Sequence, residues 1–339
     1  MTGHRLRIAL ALSSVLFAAV WLATPLPRDV RVGAIDALWL VTALLAGAAC
    51  LVARKRPENE HLRRSFGLLA AGSLAWAAGQ AVWTFQEVVQ DVASPGFALG
   101  DVGFWLAVPL FGAAIASWPR EAVPWSLART LDLVLVVGFA AFFGIEFVLE
   151  PLLTAEGGGA EAVYAVAYPP SEIFLFAALL AALTLDGWRD RARLELASFA
   201  LLAVCIGNAG YAYLGRDYST GGLLDPLWIV GFAGVGWTAL APAGWRGQRG
   251  WISERTRALA PSGALILLVL GGVGIGVAGR APLDTAHRVA LFGLVLLLAA
   301  RQGHTQLKLL HQMAEQRRLQ ERLQESEKLE AVGRLAGGI

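Results

Sequence analysis

Charge is scarce in this chain. Asp, Glu, Lys and Arg make up 16% of its 339 residues, against 56% hydrophobic residues. A soluble domain carries about a quarter of its residues as charges, so this is not a soluble profile. Cysteine is scarcer still. Cys50 and Cys205 both fall in apolar runs and read as small buried hydrophobes rather than a disulfide or a thiolate metal site. No Gly-rich nucleotide-binding box occurs, and no nucleic-acid partner is expected. The formal charge of +2 says little, because the charges are segregated by loop.

What the chain has instead is long apolar runs between short Arg-rich loops. A run of roughly 17 to 25 apolar residues can cross the hydrocarbon core as a helix. Ten such runs are present: 7–25, 34–53, 65–88, 98–118, 126–149, 169–186, 194–214, 224–242, 262–279 and 285–302. Inside lipid each backbone must satisfy itself, so each run is expected to be helical. The expected fold class is all-α: a polytopic transmembrane bundle of about ten spans over 1–302, embedded in the lipid bilayer. The first run follows Arg5 and Arg7 like a signal peptide. Cleavage after Ala23 would put Trp21 where a small residue is needed, so it reads as a retained anchor.

Orientation follows from Lys and Arg. Alternate loops carry Arg5 and Arg7; Arg54, Lys55, Arg56, Arg63 and Arg64; Arg120 and Arg129; Arg189, Arg191 and Arg193; and Arg246, Arg249, Arg255 and Arg257. With the C-terminal tail, 23 of the 28 Lys and Arg fall on one side, leaving Arg28, Arg31, Arg216, Arg280 and Arg288 on the other. Both termini are therefore expected in the cytoplasm, with the chain in the inner (cytoplasmic) membrane. Trp118, Trp125, Trp188, Trp245 and Trp251 fall near the inner boundary. Trp21, Trp39, Trp83, Trp105 and Trp228 fall nearer the outer one, and the simplest account is an aromatic belt at each interface. The longest outer loop, roughly 151–168, contains Gly157, Gly158 and Gly159 and reads as a flexible cover. No outer loop can hold a folded sensor domain, so any signal must act on the bundle or its outer mouth.

Every helix descending from the outer side opens with an acid. The runs are Asp36-Ala-Leu-Trp39, Asp101-Val-Gly-Phe-Trp105, Tyr168-Pro-Pro-Ser-Glu172, Asp225-Pro-Leu-Trp228 and Asp284-Thr-Ala-His287, a weak repeat of helical hairpins. One account is capping, because an acid at a helix N-terminus meets free N–H groups and the positive end of the dipole. Pro226 fits the first helical position after Asp225. The other account is an acidic, Trp-lined pocket. Trp76, Gln80, Trp83 and Glu87 are spaced to share one stripe of the third span. Glu146 and Glu150 sit one turn apart in the fifth, and Asn208 and Tyr211 lie at similar depth in the seventh. Ionisable groups in membrane helices usually face a cavity or each other. The candidate sensing pocket therefore comprises Trp76, Gln80, Trp83, Glu87, Asp101, Glu146, Glu172, Tyr211 and Asp225. It would bind a cation, a proton or a small amphipathic ligand. Asp132, near the inner end of the fifth span, reads as an ion-pair partner of Arg129. Gly272 and Gly276 in the ninth span allow close helix approach without specifying a dimer.

Past Gly303 the tenth span meets no breaker. Gln, Glu, Arg and Leu continue a helix over 303–328. Leu309 and Met313, then Leu319 and Leu323, then Leu329, Val332, Ala336 and Ile339 recur at three- and four-residue steps, interrupted by Gln316, Gln320 and Ser326. This is the pattern of a marginal parallel coiled coil with a register break between Leu323 and Leu329, or of a single solvated amphipathic helix.

The run Glu325-Ser-Glu-Lys-Leu-Glu-Ala-Val-Gly-Arg-Leu-Ala-Gly-Gly-Ile339 resembles the lead-in to the dimerisation and histidine-phosphotransfer domain of sensor histidine kinases. The resemblance covers about 15 residues, and its start at 329–339 would be the first turns of the acceptor helix. In that family the run continues Ala-His-Asp-Phe-Asn-Asn and that His accepts the phosphoryl group; none of His4, His61, His287, His304 and His311 occupies that place. The resemblance implies phosphoryl transfer from ATP, with Mg²⁺, to that His and then to an Asp of a response regulator. It implies a homodimer through the C-terminal helix, with Leu309, Met313, Leu319, Leu323, Leu329, Val332 and Ile339 transmitting the signal. No catalytic residue, cofactor or metal ligand is expected within the chain. The rival reading is a transporter-like bundle for a solute or ion, with or without a coupled signalling output, which ten spans and intramembrane acids would also suit.

Overall fold

The computed structural model describes residues 3–22, 26–92, 99–121, 160–185, 187–214 and 218–242, with isolated helical positions between 127 and 138 and between 293 and 320. Regular structure among the described residues is helical, with no strand; one isolated antiparallel bridge joins Arg120 and Trp188. The helices are α1 (Gly3–Leu22), α2 (Arg28–Arg54), α3 (Arg63–Thr84), α4 (Leu99–Ala116), α5 (Ala160–Thr184), α6 (Arg191–Leu214) and α7 (Asp225–Leu240). A 3₁₀ turn, Pro57–Leu62, enters α3, and a π turn, Phe85–Val89, extends it. Four stretches are long and apolar enough to cross a membrane: Gly3–Leu22, Arg28–Arg54, Pro57–Val89 and Arg191–Tyr211. Gly100–Ala116 and Pro170–Leu183 are shorter apolar helices.

These seven helices answer to seven of the ten expected spans. The spans 262–279 and 285–302 lie outside the described residues except for positions 293 and 297. The span 126–149 is described only at scattered helical positions. Most of the C-terminal helix also lies outside them.

Each helix from α2 to α7 packs on its successor, and α7 returns to α2, so six helices close a ring. Helix α1 lies outside the ring, in the groove between α2 and α7. Small residues make these approaches possible. The buried stripe of α2 carries Ala43, Ala46, Gly47, Ala49 and Ala53 at helical spacing, the composition that lets apolar helices pack closely without a solvent drive. The α3–α4 crossing is tighter still. A Cβ on Gly103 would stand 2.6 Å from both the Ala75 carbonyl oxygen and the Gly79 nitrogen. Only glycine fits there, and this approach brings Phe104 to the face of α3 that carries Trp76 and Trp83. Outward faces stay apolar: Leu12, Leu16, Val41, Leu44, Phe174, Phe199, Ile206 and Val230 are exposed.

The ring has two distinct ends. One gathers the start of α1, the α2–α3 turn, the end of α4, the α5–α6 turn and the end of α7. Arg193, fully buried, donates to Asn59 Oδ1 at 2.8 Å, to Asp190 Oδ2 at 3.1 Å and to the Ala241 carbonyl. Arg191 binds Glu195 at 2.8 Å and the Leu183 carbonyl at 2.8 Å, and Arg7 reaches the Leu240 carbonyl. These arginines satisfy carbonyls that the ends of α5 and α7 leave open. Arg191 and Arg193 were expected as loop charges; they are buried in the first turn of α6, where they fasten helix ends together.

Three sequence expectations change. Helix α2 begins at Arg28, so Asp36 stands more than two turns inside it, and Glu172 lies twelve residues inside α5. Neither acid caps a helix. The apolar windows had missed the more polar opening turns that both helices include. The expected flexible cover is helical from Ala160 onward. Trp39 and Trp228, expected at the lipid interface, are 4% and 7% exposed and face the inside of the ring.

Candidate functional site

At the end of the ring opposite the arginines lies a cavity. Its volume is about 60 Å³. Helix α2 contributes Trp39; α3 contributes Trp76, Gln80 and Trp83; α4 contributes Asp101 and Phe104. Helix α6 supplies Asn208 and Tyr211, the following loop supplies Tyr218, and α7 supplies Trp228. Below it, Phe232 packs on Trp76 at 4.5 Å and Phe111 at 6.1 Å, closing the centre of the ring.

The seven aromatic side chains of the lining touch one another in sequence. Trp39 meets Trp228 edge-on at 5.4 Å; Trp228 meets Tyr218 at 6.1 Å; Tyr218 meets Tyr211 at 5.2 Å. Tyr211 meets Trp83 at 6.0 Å, Trp83 meets Phe104 at 6.4 Å, and Phe104 meets Trp76 at 5.2 Å. Edge-on pairs of this kind are favourable beyond their buried area. Three of the four lining indoles have their N–H groups bonded. Trp39 Nε1 donates to the Asp225 carbonyl at 3.3 Å, Trp83 Nε1 to Glu87 at 2.7 Å, and Trp228 Nε1 to Asn208 Oδ1 at 2.9 Å. These bonds fix the orientation of three rings and leave their faces, not their N–H groups, for an occupant.

Acids stand behind this wall. Asp36, fully buried, accepts from Gln80 Nε2 at 3.2 Å through one oxygen, while its Oδ2 has no hydrogen-bond partner among the described residues. The π turn carries Glu87 back over Trp83, where it also accepts from Thr220 at 3.0 Å. π turns of this kind recur at functional sites. Asp225 accepts from Tyr218 at 2.9 Å and from the Gly221 N–H at 2.5 Å. That second bond needs the left-handed backbone of Gly221, at φ +99°. Asp36, Glu87 and Asp225 lie within electrostatic reach of one another. Glu172 accepts from Asn208 at 2.8 Å and Cys205 at 3.1 Å, so the line Trp228–Asn208–Glu172 joins α7, α6 and α5. Burial pushes the Tyr218 hydroxyl well above its ordinary pKa, and the adjacent Asp225 adds to this, so Tyr218 remains a neutral donor. Among the described residues no Lys, Arg or His lines the cavity. Arg31 stands at this end against Gly221, outside the lining.

Of the residues picked out from sequence, Trp76, Gln80, Trp83, Asp101 and Tyr211 line the cavity, and Glu87, Glu172 and Asp225 bond to lining side chains. Glu146 lies outside the described residues. So do Leu309, Met313, Leu323, Leu329, Val332 and Ile339; Leu319 is helical and exposed. Sequence reasoning missed Trp39 and Trp228 as lining, Asp36 as a buried acid, and Phe104 and Tyr218 altogether. A signal for the first three was present. Asp36-Ala-Leu-Trp39 and Asp225-Pro-Leu-Trp228 share an Asp-x-x-Trp pattern, and the two tryptophans meet in the site.

No protein-family profile matches this chain, and neither does any curated protein sequence or any solved structure.

Proposed function

We propose that this chain is the membrane sensor region of a sensor histidine kinase, with the cavity as its sensory site. The observation that carries the sensory part is a cavity at one end of the ring to which five helices contribute side chains held by hydrogen bonds and ring contacts. A ligand there would touch α2, α3, α4, α6 and α7 at once. It could therefore bias how the ring packs, and a ligand acts on such an equilibrium only through different affinities for its two packings.

The kinase part is supported by the Glu325–Ile339 run and its resemblance to the approach to the acceptor histidine. In this reading about ten spans cross the inner membrane, with both termini cytoplasmic. The arrangement of the ring supports that orientation, because Arg7, Arg54, Lys55, Arg56, Arg191 and Arg193 gather at one end and the cavity opens at the other. The C-terminal helix would pair in a homodimer and carry the change toward the kinase. The resemblance assigns ATP, Mg²⁺ and the response regulator to the phosphotransfer reaction, and no described residue of this chain has a role with them.

Helix transmission has a direct test. Inserting one or two residues between Gln316 and Leu323 in the full-length protein rotates everything beyond by about 100° or 200°. Autophosphorylation in isolated membranes is then expected to lock on, lock off or invert its response. An unchanged response would remove the transmission helix from the account.

A further inference from the structure

The character of the lining identifies what it would hold. We infer that the cavity takes a small organic ammonium cation, of the methylated-amine class, held against aromatic faces. This rests on reading the cavity as the sensory site.

Four observations converge. The lining is seven aromatic rings in one unbroken chain of contacts, with Gln80, Asp101 and Asn208 as its polar members. Aromatic faces are negative and attract a cation placed over them, most strongly when it is weakly hydrated and desolvated. Next, acids gather at the cavity. Asp101 lines it, Asp36, Glu87 and Asp225 stand close behind through Gln80, Trp83 and Tyr218, and among the described residues no Lys, Arg or His lines it, Arg31 standing outside against Gly221. The buried Oδ2 of Asp36, behind Gln80, has no partner of its own among the described residues.

The third observation is the donor set, which suits an organic cation better than a bare metal ion. Hard cations want six or more oxygen ligands at short range. Among the described residues no three His, Cys, Asp or Glu side chains gather to hold a metal, and the lining is mostly aromatic. The fourth is size. A water needs about 10–15 Å³ measured in the same way, so the 60 Å³ here fits on the order of four to six heavy atoms. Tetramethylammonium is of that size, and choline is slightly larger.

Tryptophan fluorescence of the purified full chain in nanodiscs tests this, since four of the lining rings are indoles. The probes are tetramethylammonium, choline and 3,3-dimethylbutan-1-ol, the last being choline with carbon in place of the charged nitrogen. Sodium chloride at matched ionic strength is the control. Tetramethylammonium and choline are expected to change the emission saturably, and the neutral alcohol to bind at least about tenfold more weakly. Asp101→Asn and Phe104→Leu should each weaken choline about fivefold and leave the alcohol unchanged. Either variant suffices if the other fails to fold. Equal affinity for choline and the alcohol would overturn the cation inference and leave a sensory site for neutral ligands. No saturable change with either cation would also overturn it, while the sensory reading would still face the insertion test on its own.

Discussion

The two ends of the ring bury polar groups in opposite ways. At the arginine end each buried cation meets an anion or a helix-end carbonyl. Arg193 alone holds Asn59, Asp190 and the end of α7, and Arg191 holds Glu195 and the end of α5. At the cavity end the acids Asp36, Glu87 and Asp225 accept from neutral donors: an amide, an indole, a threonine hydroxyl, a tyrosine hydroxyl and a backbone N–H. An ionic cluster of this kind fixes geometry. Acids bonded to neutral donors beside open space form no such lock. One end of the ring ties helix ends together through ion pairs, and the other surrounds a cavity.

That contrast can be broken by mutation. The largest effect is expected from Arg193→Ala, which strands Asp190 and unfastens the end of α7. Removing one partner of a buried ion pair costs about 3–5 kcal/mol, which should appear as a large drop in the thermal unfolding midpoint of the purified chain. Next comes Gly103→Ala. Its Cβ would meet backbone rather than a yielding side chain, and overpacking of this kind costs about 1–3 kcal/mol. Because the strain lies at the α3–α4 crossing, it should also disturb the Phe104 side of the cavity and reduce ligand affinity.

Asn208→Ala is expected to fall in a similar or slightly smaller range. It leaves the Trp228 N–H without its acceptor and Glu172 without one donor, at about 1–3 kcal/mol for buried groups left unpaired. The smallest stability effect belongs to Trp83→Phe, which keeps a ring and loses one hydrogen bond to Glu87, worth about 1 kcal/mol. The comparison is sharpened by measuring ligand affinity beside stability. Arg193→Ala should cost stability far more than affinity for whatever protein still folds. Trp83→Phe should do the reverse. If the two variants lowered both quantities in the same proportion, the ends would not differ in the way described.

The sequence made helices and depth legible, and neighbours hardly at all. Sparse charge and long apolar runs pointed to an all-helical chain, and seven of the runs have helices close to their expected places. The stripe Trp76–Gln80–Trp83 was readable because three- and four-residue steps fix one face of a single helix. Glu87 was readable with it, although the π turn rather than the α-helical spacing completes its approach to Trp83. Depth, however, does not give direction around the helix axis. Trp39 and Trp228 were expected at a lipid interface from their place near the ends of apolar runs, and the α2–α7 contact that closes the ring turns them inward. Asp36 and Glu172 looked like caps because hydropathy marks where a run becomes apolar. The helices themselves start earlier, through polar turns that hydropathy discounts. Phe104 reaches the site because Gly79, Gly100 and Gly103 let α4 approach α3, a consequence of three glycines that no local pattern announces.

The most direct test of the central claim is a density map of the full chain in nanodiscs with choline present. The account predicts compact density enclosed by Trp39, Trp83, Tyr218 and Trp228, separate from the bilayer and absent from a matched map without choline. A lipid tail entering the same space in both maps, or side chains collapsed to fill it, would contradict it.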